Sequence, residues 1–227
     1  MSAGQDGLDV RGVSKAYGST LANQEIDLQV APGTVHVLLG ENGAGKSTLV
    51  NLINGREAPD AGEIRFAGAL VAAPGHTRPN PAIATVHQDL ALVPVMTGLE
   101  NIRFVARVYG QDTEAVIDYV REFSELGESL KLPVKTYSSG MKARLAFGMS
   151  LALDFDCYLI DEVTAVGDER FKKKSRKAFQ EKLPHSRIIM VSHSKGQVKE
   201  YCDCGIYLSG GNVEFFDDVD ELFLKSS

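Results

Sequence analysis

One stretch constrains this chain more than any other: Gly40–Thr48, Gly-Glu-Asn-Gly-Ala-Gly-Lys-Ser-Thr. An apolar run, Val35–Leu39, precedes it, and a stretch compatible with a helix, Leu49–Asn54, follows. The order strand, glycine loop, helix fits the pattern G-x-x-x-x-G-K-S/T from Gly40 to Ser47. Gly40, Gly43 and Gly45 lack a Cβ, so the backbone can fold tightly and turn its N–H groups inward, with Asn42 and Ala44 between them. A helix starting after Gly45 adds the positive end of its dipole, and Lys46 adds a cation. Such a loop predicts a nucleoside triphosphate tail as ligand, with the Ser47 hydroxyl available to Mg²⁺ and Thr48 beside it. The alternative is a glycine-rich turn with no ligand, and the correct context on both sides weighs against it.

The 227 residues suit one α/β domain, or one domain with a small subdomain. A formal net charge of −6 argues against a large nucleic-acid surface. No apolar run approaches the length of a bilayer crossing, and Met1–Val10 has no basic region leading into an apolar one, so a cytosolic chain is expected. Three cysteines, Cys157, Cys202 and Cys204, read as reduced thiols, because Cys-x-Cys alone lacks the ligands of a structural zinc site.

Leu8–Val10 and Ile26–Val30 read as strands, the second alternating with one buried face. Ala31-Pro32-Gly33 turns into the strand that delivers the glycine loop. Glu63–Phe66 and Ala82–His87 read as strands, and Ala72–Pro81, with Pro74, Gly75, Pro79 and Pro81, as a surface loop. Thr97 and Glu100 predict a capping box opening a helix that Gly110 closes. Asp112–Leu126 is a second helix, and Ser139–Leu153 a third that is apolar nearly all round. Helices with no strand between them predict a small helical lobe on the main sheet. Phe155–Ile160 and Arg187–Ser192 are buried strands separated by a helix over Asp168–Leu183, and Gly210-Gly211-Asn212 marks a hairpin.

Four sites follow apolar strands: the glycine loop, Gln88, Asp161-Glu162 and His193. In an open parallel sheet ligands sit beyond the carboxyl ends of strands, so all four are expected to converge on one phosphate tail. Asp161 would orient Mg²⁺, Glu162 would polarise the attacking water, Gln88 would touch metal shell and water, and His193 would hydrogen-bond the terminal phosphate. Taken singly, an Asp-Glu pair is also a helix cap and a strand-closing His a loop residue. Tyr17, ahead of the glycine loop, is either a packing residue or a ring for a purine to stack on. Ser139-Gly140 opens the buried helix, as an anion site or an ordinary N-cap.

With these motifs the chain resembles the nucleotide-binding subunits of ABC transporters over nearly its whole length. Gly40–Thr48 stands at the Walker A loop, Cys157–Asp161 at the Walker B strand, Glu162 at the catalytic glutamate, Gln88 at the Q-loop and His193 at the switch histidine. Tyr17 stands at the stacking aromatic and Ser138-Ser139-Gly140-Met141-Lys142 at the signature, where the family usually has Leu-Ser-Gly-Gly-Gln. Ser138, Met141 and Lys142 depart from that pattern, while Ser139 and Gly140 keep it. Val166-Gly167-Asp168 stands at the D-loop and departs as well.

The resemblance implies a single ABC ATPase domain over 1–227, of α/β P-loop NTPase (RecA-like) type. It has a mixed-sheet core, an N-terminal antiparallel β subdomain and a small helical subdomain, with 1–87 and 155–227 as core and 88–154 as helical. It also implies ATP and Mg²⁺ as cofactors, with Ser47, Gln88 and Asp161 toward the metal. A head-to-tail homodimer would hold two ATP, each reached by Ser139 and Gly140 of the opposite copy.

Tyr-Ser-Ser-Gly-Met-Lys-Ala-Arg-Leu-Ala-Phe-Gly and Asp-Glu-Val-Thr-Ala-Val-Gly-Asp-Glu-Arg-Phe resemble the ATPases of capsular polysaccharide export in Gram-negative bacteria. That subfamily implies an integral membrane permease, periplasmic or outer-membrane export components, a place on the cytoplasmic face of the inner membrane and no nucleic acid. Exporters of O-antigen or teichoic acid are the alternative within the family. Soluble ABC ATPases and P-loop kinases are more distant ones: the first usually carry two cassettes or a long coiled coil, and the second have no use for Ser139-Gly140.

Overall fold

The computed structural model describes residues 7–87, 92–161, 169–182, 186–192 and 195–225. Strands β1 (Leu8–Tyr17) and β2 (Thr20–Val30) come first; β3 (Val35–Gly40) then leads through the glycine loop into α1 (Lys46–Ile53). β4 (Ala61–Phe66), β5 (Ala69–Ala73), β6 (His76–Thr77) and β7 (Ile83–His87) follow. Next are helices α2 (Gly98–Val108), α3 (Thr113–Ser124) and α4 (Ser139–Ala152), with 3-10 turns at Gly127–Lys131 and Val134–Thr136. The remainder is β8 (Cys157–Asp161), α5 (Glu169–Lys182), β9 (Arg187–Val191), α6 (Lys195–Tyr201), β10 (Cys204–Ser209), β11 (Asn212–Phe216) and α7 (Val219–Lys225). The chain forms two compact units, Met1–Thr85 with Phe155–Glu162 and Leu183–Ser227, and Val86–Asp154 with Val163–Lys182.

The first unit holds two sheets. One runs β2-β1-β4-β5-β6, with its neighbouring strands antiparallel. The other runs β11-β10-β3-β9-β8-β7, with β10, β3, β9 and β8 parallel and β11 antiparallel at one edge. The second sheet is thus mixed, and the fold is the α/β P-loop type that the glycine motif predicts. One apolar core spans both sheets: Val10, Val13, Ile26 and Leu28 from one side, Leu38, Leu159, Ile189 and Ile206 from the other, and Leu49, Leu52 and Ile53 of α1 among them. α1 is therefore held by the core itself, which fixes the loop that precedes it.

β1 extends past the expected Leu8–Val10 to Tyr17. Its register shifts between Val10 and Val13, where Gly12 adopts φ 55 and donates its N–H to Asp27 at 2.8 Å. A bulge breaks the period-two alternation, so the pattern alone stops at Val10. The expected surface loop at Ala72–Pro81 instead contains the end of β5 and the two-residue β6, joined around Pro74-Gly75 with Ala73 opposite His76. A strand of two residues has no alternation to read. The Gly210-Gly211 hairpin forms as expected, both glycines at positive φ (55 and 84) and Ser209 paired with Asn212. α6 and α7, seven residues each, were not expected; α7 seats Leu222 on β10 where an added Cβ on Gly205 would come within 2.3 Å of it.

In the second unit, the Thr97–Glu100 capping box forms in both directions, Glu100 N–H to Thr97 Oγ1 at 3.1 Å and Thr97 N–H to Glu100 Oε2 at 2.7 Å. Buried Asn101 ties down the entry to α2, accepting from Val93 N–H at 2.8 Å and donating to the Thr97 carbonyl at 2.9 Å. Asp112 caps α3 through two backbone N–H groups. Phe123 stacks edge-on to Phe171 of α5 with centroids 5.4 Å apart, and Glu125 takes ion pairs from Arg170 and Lys174 of the same helix. These contacts carry α5 into the helical unit. Among the described residues no helix is long and apolar enough to cross a membrane.

Candidate active site

The site grows out of β3. This strand lies between β10 and β9, and at its carboxyl end Gly40 comes so close to β10 that an added Cβ would stand 2.3 Å from the Leu208 carbonyl oxygen. The chain turns at Glu41–Gly43, closed by Ala44 N–H to the Glu41 carbonyl at 3.1 Å. Gly45 is left-handed at φ 99 and caps α1, with Ala22 of β2 against it: a Cβ there would meet the Ala22 carbonyl at 2.1 Å. Gly43, at φ 84, differs, because nothing stands within 4 Å of where its Cβ would be. Two glycines are thus required by the walls of the site, and the third opens onto space.

α1 begins with no side-chain cap and no acidic residue in its first turn. Its leading N–H groups have no intrahelical partner, and its positive dipole end is uncompensated within the turn. Lys46 is buried to 9% exposure, its ammonium donating to the carbonyls of Gly40 at 2.8 Å and Glu41 at 2.9 Å. The cation is thereby held over the loop. Ser47 and Asn42 are exposed, Ala44 packs on the core, and Thr48 is half-buried. An open glycine cradle, an uncapped helix start and a held ammonium fit a polyphosphate, and an exposed Ser47 hydroxyl beside them fits the coordination of Mg²⁺ by oxygen.

Asp161 ends β8 opposite Val191 of β9, and Val191 lies opposite Leu38 of β3, two residues before Gly40. β3, β9 and β8 are adjacent and parallel, with β7 next to β8, so the strands that precede the glycine loop, His193, Glu162 and Gln88 are consecutive neighbours. Gln88, Glu162 and His193 themselves lie outside the described residues, as does the Val166-Gly167-Asp168 stretch, and of Asp161 only the backbone is described.

Tyr17 closes β1 with its ring half-exposed, and its phenol lies 2.7 Å from both carboxylate oxygens of Glu57. Burial and then this hydrogen bond hold the phenol above its ordinary pKa, against a smaller downward pull from the Thr48 hydroxyl. Glu57, Lys15 and Asp60 around this ring were not legible in the sequence, since no motif connects residues forty or more positions apart. Asn23 of β2, fully buried, faces the carbonyl of Gly45 at 3.5 Å and was likewise missed.

In the second unit, Ser138 is the N-cap of α4, accepting from Met141 N–H at 3.2 Å. Ser138, and not Ser139, is therefore the cap, which leaves exposed Ser139 and then Gly140 at the first helical positions. The first turn has no acidic residue, and Lys142 is exposed. The cysteines are free, and burial pushes the Cys157 and Cys202 thiols up to about 12, so they stay protonated at neutral pH.

Three comparisons bear on this arrangement. The family described as "ABC transporter" matches residues 23–165. The capsule polysaccharide export ATP-binding protein CtrD of Neisseria meningitidis serogroup B is 43% identical over 95% of this chain and 96% of its own length. The ATP-binding protein BexA of Haemophilus influenzae is 41% identical over 94% and 95%, and the polysialic acid transport ATP-binding protein KpsT of Escherichia coli is 42% identical over the same shares. Among solved structures, an ATP-binding subunit of an ABC transporter superposes with TM-score 0.84 at 22% identity, covering 96% of this chain and 98% of that one. A nucleotide-free ATP-binding cassette superposes with TM-score 0.78 at 20% identity, covering 98% and 96%. The glycine cradle, the parallel strand ends beside it and these full-length likenesses agree: the chain belongs to the ABC transporter family.

Proposed function

We propose that this chain is the ATP-hydrolysing subunit that drives export of a capsular, lipid-linked polysaccharide through a separate membrane permease. The observation that carries the reading is the 41–43% identity to ATP-binding proteins of capsule polysaccharide and polysialic acid transport across nearly the whole chain. The glycine cradle, the held Lys46 ammonium and the adjacent parallel strand ends support the chemistry proposed for it.

ATP enters with its base on Tyr17 and its phosphates on Gly40–Thr48. The N–H groups of Gly43 to Ser47 and the ammonium of Lys46 bind the phosphate oxygens and orient the terminal group for in-line attack. Ser47, Gln88 and Asp161 would hold Mg²⁺, which when bound would neutralise charge on the phosphate oxygens. Glu162 takes a proton from water as the water attacks, and His193 donates a hydrogen bond to the terminal phosphate. Ser139 and Gly140 bind ATP held by a second copy, so two chains close over two nucleotides.

The helical segment 88–154 meets the permease. α2 supports this role: Phe104 and Val108, one turn apart, are exposed at 52% and 62%. The chain works at the cytoplasmic face of the inner membrane, held there by that partner, with periplasmic and outer-membrane components completing the path.

The test is copurification with a membrane permease from the native host, followed by ATPase assays with candidate polymers. A lipid-linked capsular polymer should raise turnover, and Glu162→Gln in the native host should strip polymer from the cell surface. Surface polymer unchanged by that substitution, or stimulation only by another class of substrate, refutes the reading.

A further inference from the structure

The residues around Tyr17 form a closed set. Its phenol is equidistant, at 2.7 Å, from Oε1 and Oε2 of Glu57. Lys15 lies 3.5 Å from Glu57, donates to Asp60 Oδ1 at 3.2 Å and to the Ala58 carbonyl at 2.8 Å, and sits 5.6 Å from the centroid of the Tyr17 ring. Asp60 takes the Ala16 N–H at 2.8 Å and gives its own N–H to the Ser14 carbonyl at 2.8 Å. The end of β1 is stitched in this way to the segment that leaves α1. The side chain of Lys15 is only 14% exposed, whereas Tyr17 remains 48% exposed. One face of the ring is therefore turned to an ammonium, one edge is hydrogen-bonded, and the rest is open.

An exposed tyrosine at a strand end samples several rotamers, and a base that stacks on it must first select one. Holding the phenol on a carboxylate removes that cost before the ligand arrives. The cost of leaving Glu57 partly buried is met by Lys15, whose charge faces both Glu57 and Asp60.

We propose that Glu57, braced by Lys15 and Asp60, is a positioning residue for base recognition: it fixes the Tyr17 ring and presents a single face of it to the purine. This rests on the reading of Tyr17 as the ring on which ATP stacks.

The test is equilibrium binding of Mg-ATP and of Mg-tripolyphosphate to the full chain and to five variants. Tyr17→Ala should weaken ATP on the order of tenfold, the scale of a lost aromatic stack. Glu57→Ala and Tyr17→Phe should each weaken ATP about threefold to tenfold, the scale of one immobilised side chain. Their double variant should be no weaker than either alone, because both remove the same bond. Glu57→Gln, which still accepts the phenol proton, should restore most of the affinity. Tripolyphosphate binding should stay unchanged throughout, since the phosphate cradle is untouched.

Equal weakening of ATP and tripolyphosphate by Glu57→Ala would make its role merely structural and overturn the proposal. So would additive losses in the double variant. If Tyr17→Ala weakens ATP while Glu57→Ala and Tyr17→Phe do not, the positioning role alone falls. If Tyr17→Ala itself has no effect, the stacking reading falls with it.

Discussion

Two glycine-to-alanine substitutions two residues apart separate the part of the cradle that holds the fold from the part that holds the ligand. At Gly43, alanine meets no atom within 4 Å and bears only the left-handed conformation, about 1–2 kcal/mol. For a chain of this size that lowers the melting temperature by about 2–8 °C. At Gly45, the same conformational cost is joined by a methyl 2.1 Å from the Ala22 carbonyl. Either β2 or the loop must then move by about an ångström, and overpacking of that kind adds roughly 1–3 kcal/mol. Together the two terms lower the melting temperature by about 4–20 °C. Ligand reverses the ranking. Saturation at a hundred times the dissociation constant stabilises the native chain by about 2.7 kcal/mol. Gly43→Ala puts its methyl into the open side of the cradle and should lose that shift while melting near the native value without nucleotide. Thermal unfolding with and without Mg-ATP reads both quantities. A Gly43→Ala chain that keeps the full nucleotide shift, or a Gly45→Ala chain that melts like the native one, would refute the assignment of open and walled sides.

Glu162→Gln should bind ATP normally and hydrolyse it about 10²–10⁴-fold more slowly, the usual loss of a general base, as read by phosphate release. Phe104→Asp with Val108→Asp should abolish copurification with the permease while leaving the melting temperature of the isolated chain unchanged, because both side chains are exposed. Thr97→Ala removes one half of the capping box and should cost about 1 kcal/mol in denaturant unfolding. Burial lowers the pKa of His36 against a weaker opposing pull from Asp203. The unfolded chain therefore binds the proton more readily, so stability falls as pH drops through the ordinary histidine range, and His36→Gln should flatten that fall between pH 7.5 and 5.5, a window about one unit either side of the unperturbed value.

The parts of this fold that were legible in the sequence are those whose physics is local. The Gly40–Thr48 cradle, the Thr97–Glu100 box and the Gly210-Gly211 hairpin each sit within a few residues, and each formed as its residue types require. What escaped depends on contacts across the chain or on elements too short to show a period. β1 runs on to Tyr17 because Asp27 on the neighbouring strand accepts the N–H of the Gly12 bulge. The Tyr17–Glu57–Lys15 set forms only once α1 has brought its trailing segment back beside β1. The wall that Ala22 makes for Gly45 comes from a strand that the alternation pattern starts only at Ile26. At the glycine loop the residue types were thus readable, while the supports that hold the loop in place were not.

The four helices α1 to α4 divide by what stands at their starts. α2 and α3 are finished locally: Thr97 with Glu100 closes one, Asp112 with Glu114 the other, and the acids answer the helix dipole. α1 and α4 have no acid in the first turn. α4 is half-finished: Ser138 satisfies the Met141 N–H, but Lys142 adds positive charge where the dipole already places it. Left without an anion, that arrangement costs roughly 0.3–1 kcal/mol. A sequence that leaves an acid out of the first turn of α1 and α4, yet supplies one in α2 and α3, fits the proposal that a nucleotide phosphate brings the missing charge. The replacement of Gln by Lys in the signature then strengthens the demand for phosphate, so Lys142→Gln should stabilise the isolated chain slightly and weaken ATP-driven dimerisation, read by sedimentation of the Glu162→Gln background with Mg-ATP. Dimerisation unchanged by Lys142→Gln, or a chain made less stable by it, would show that the cation answers something other than nucleotide.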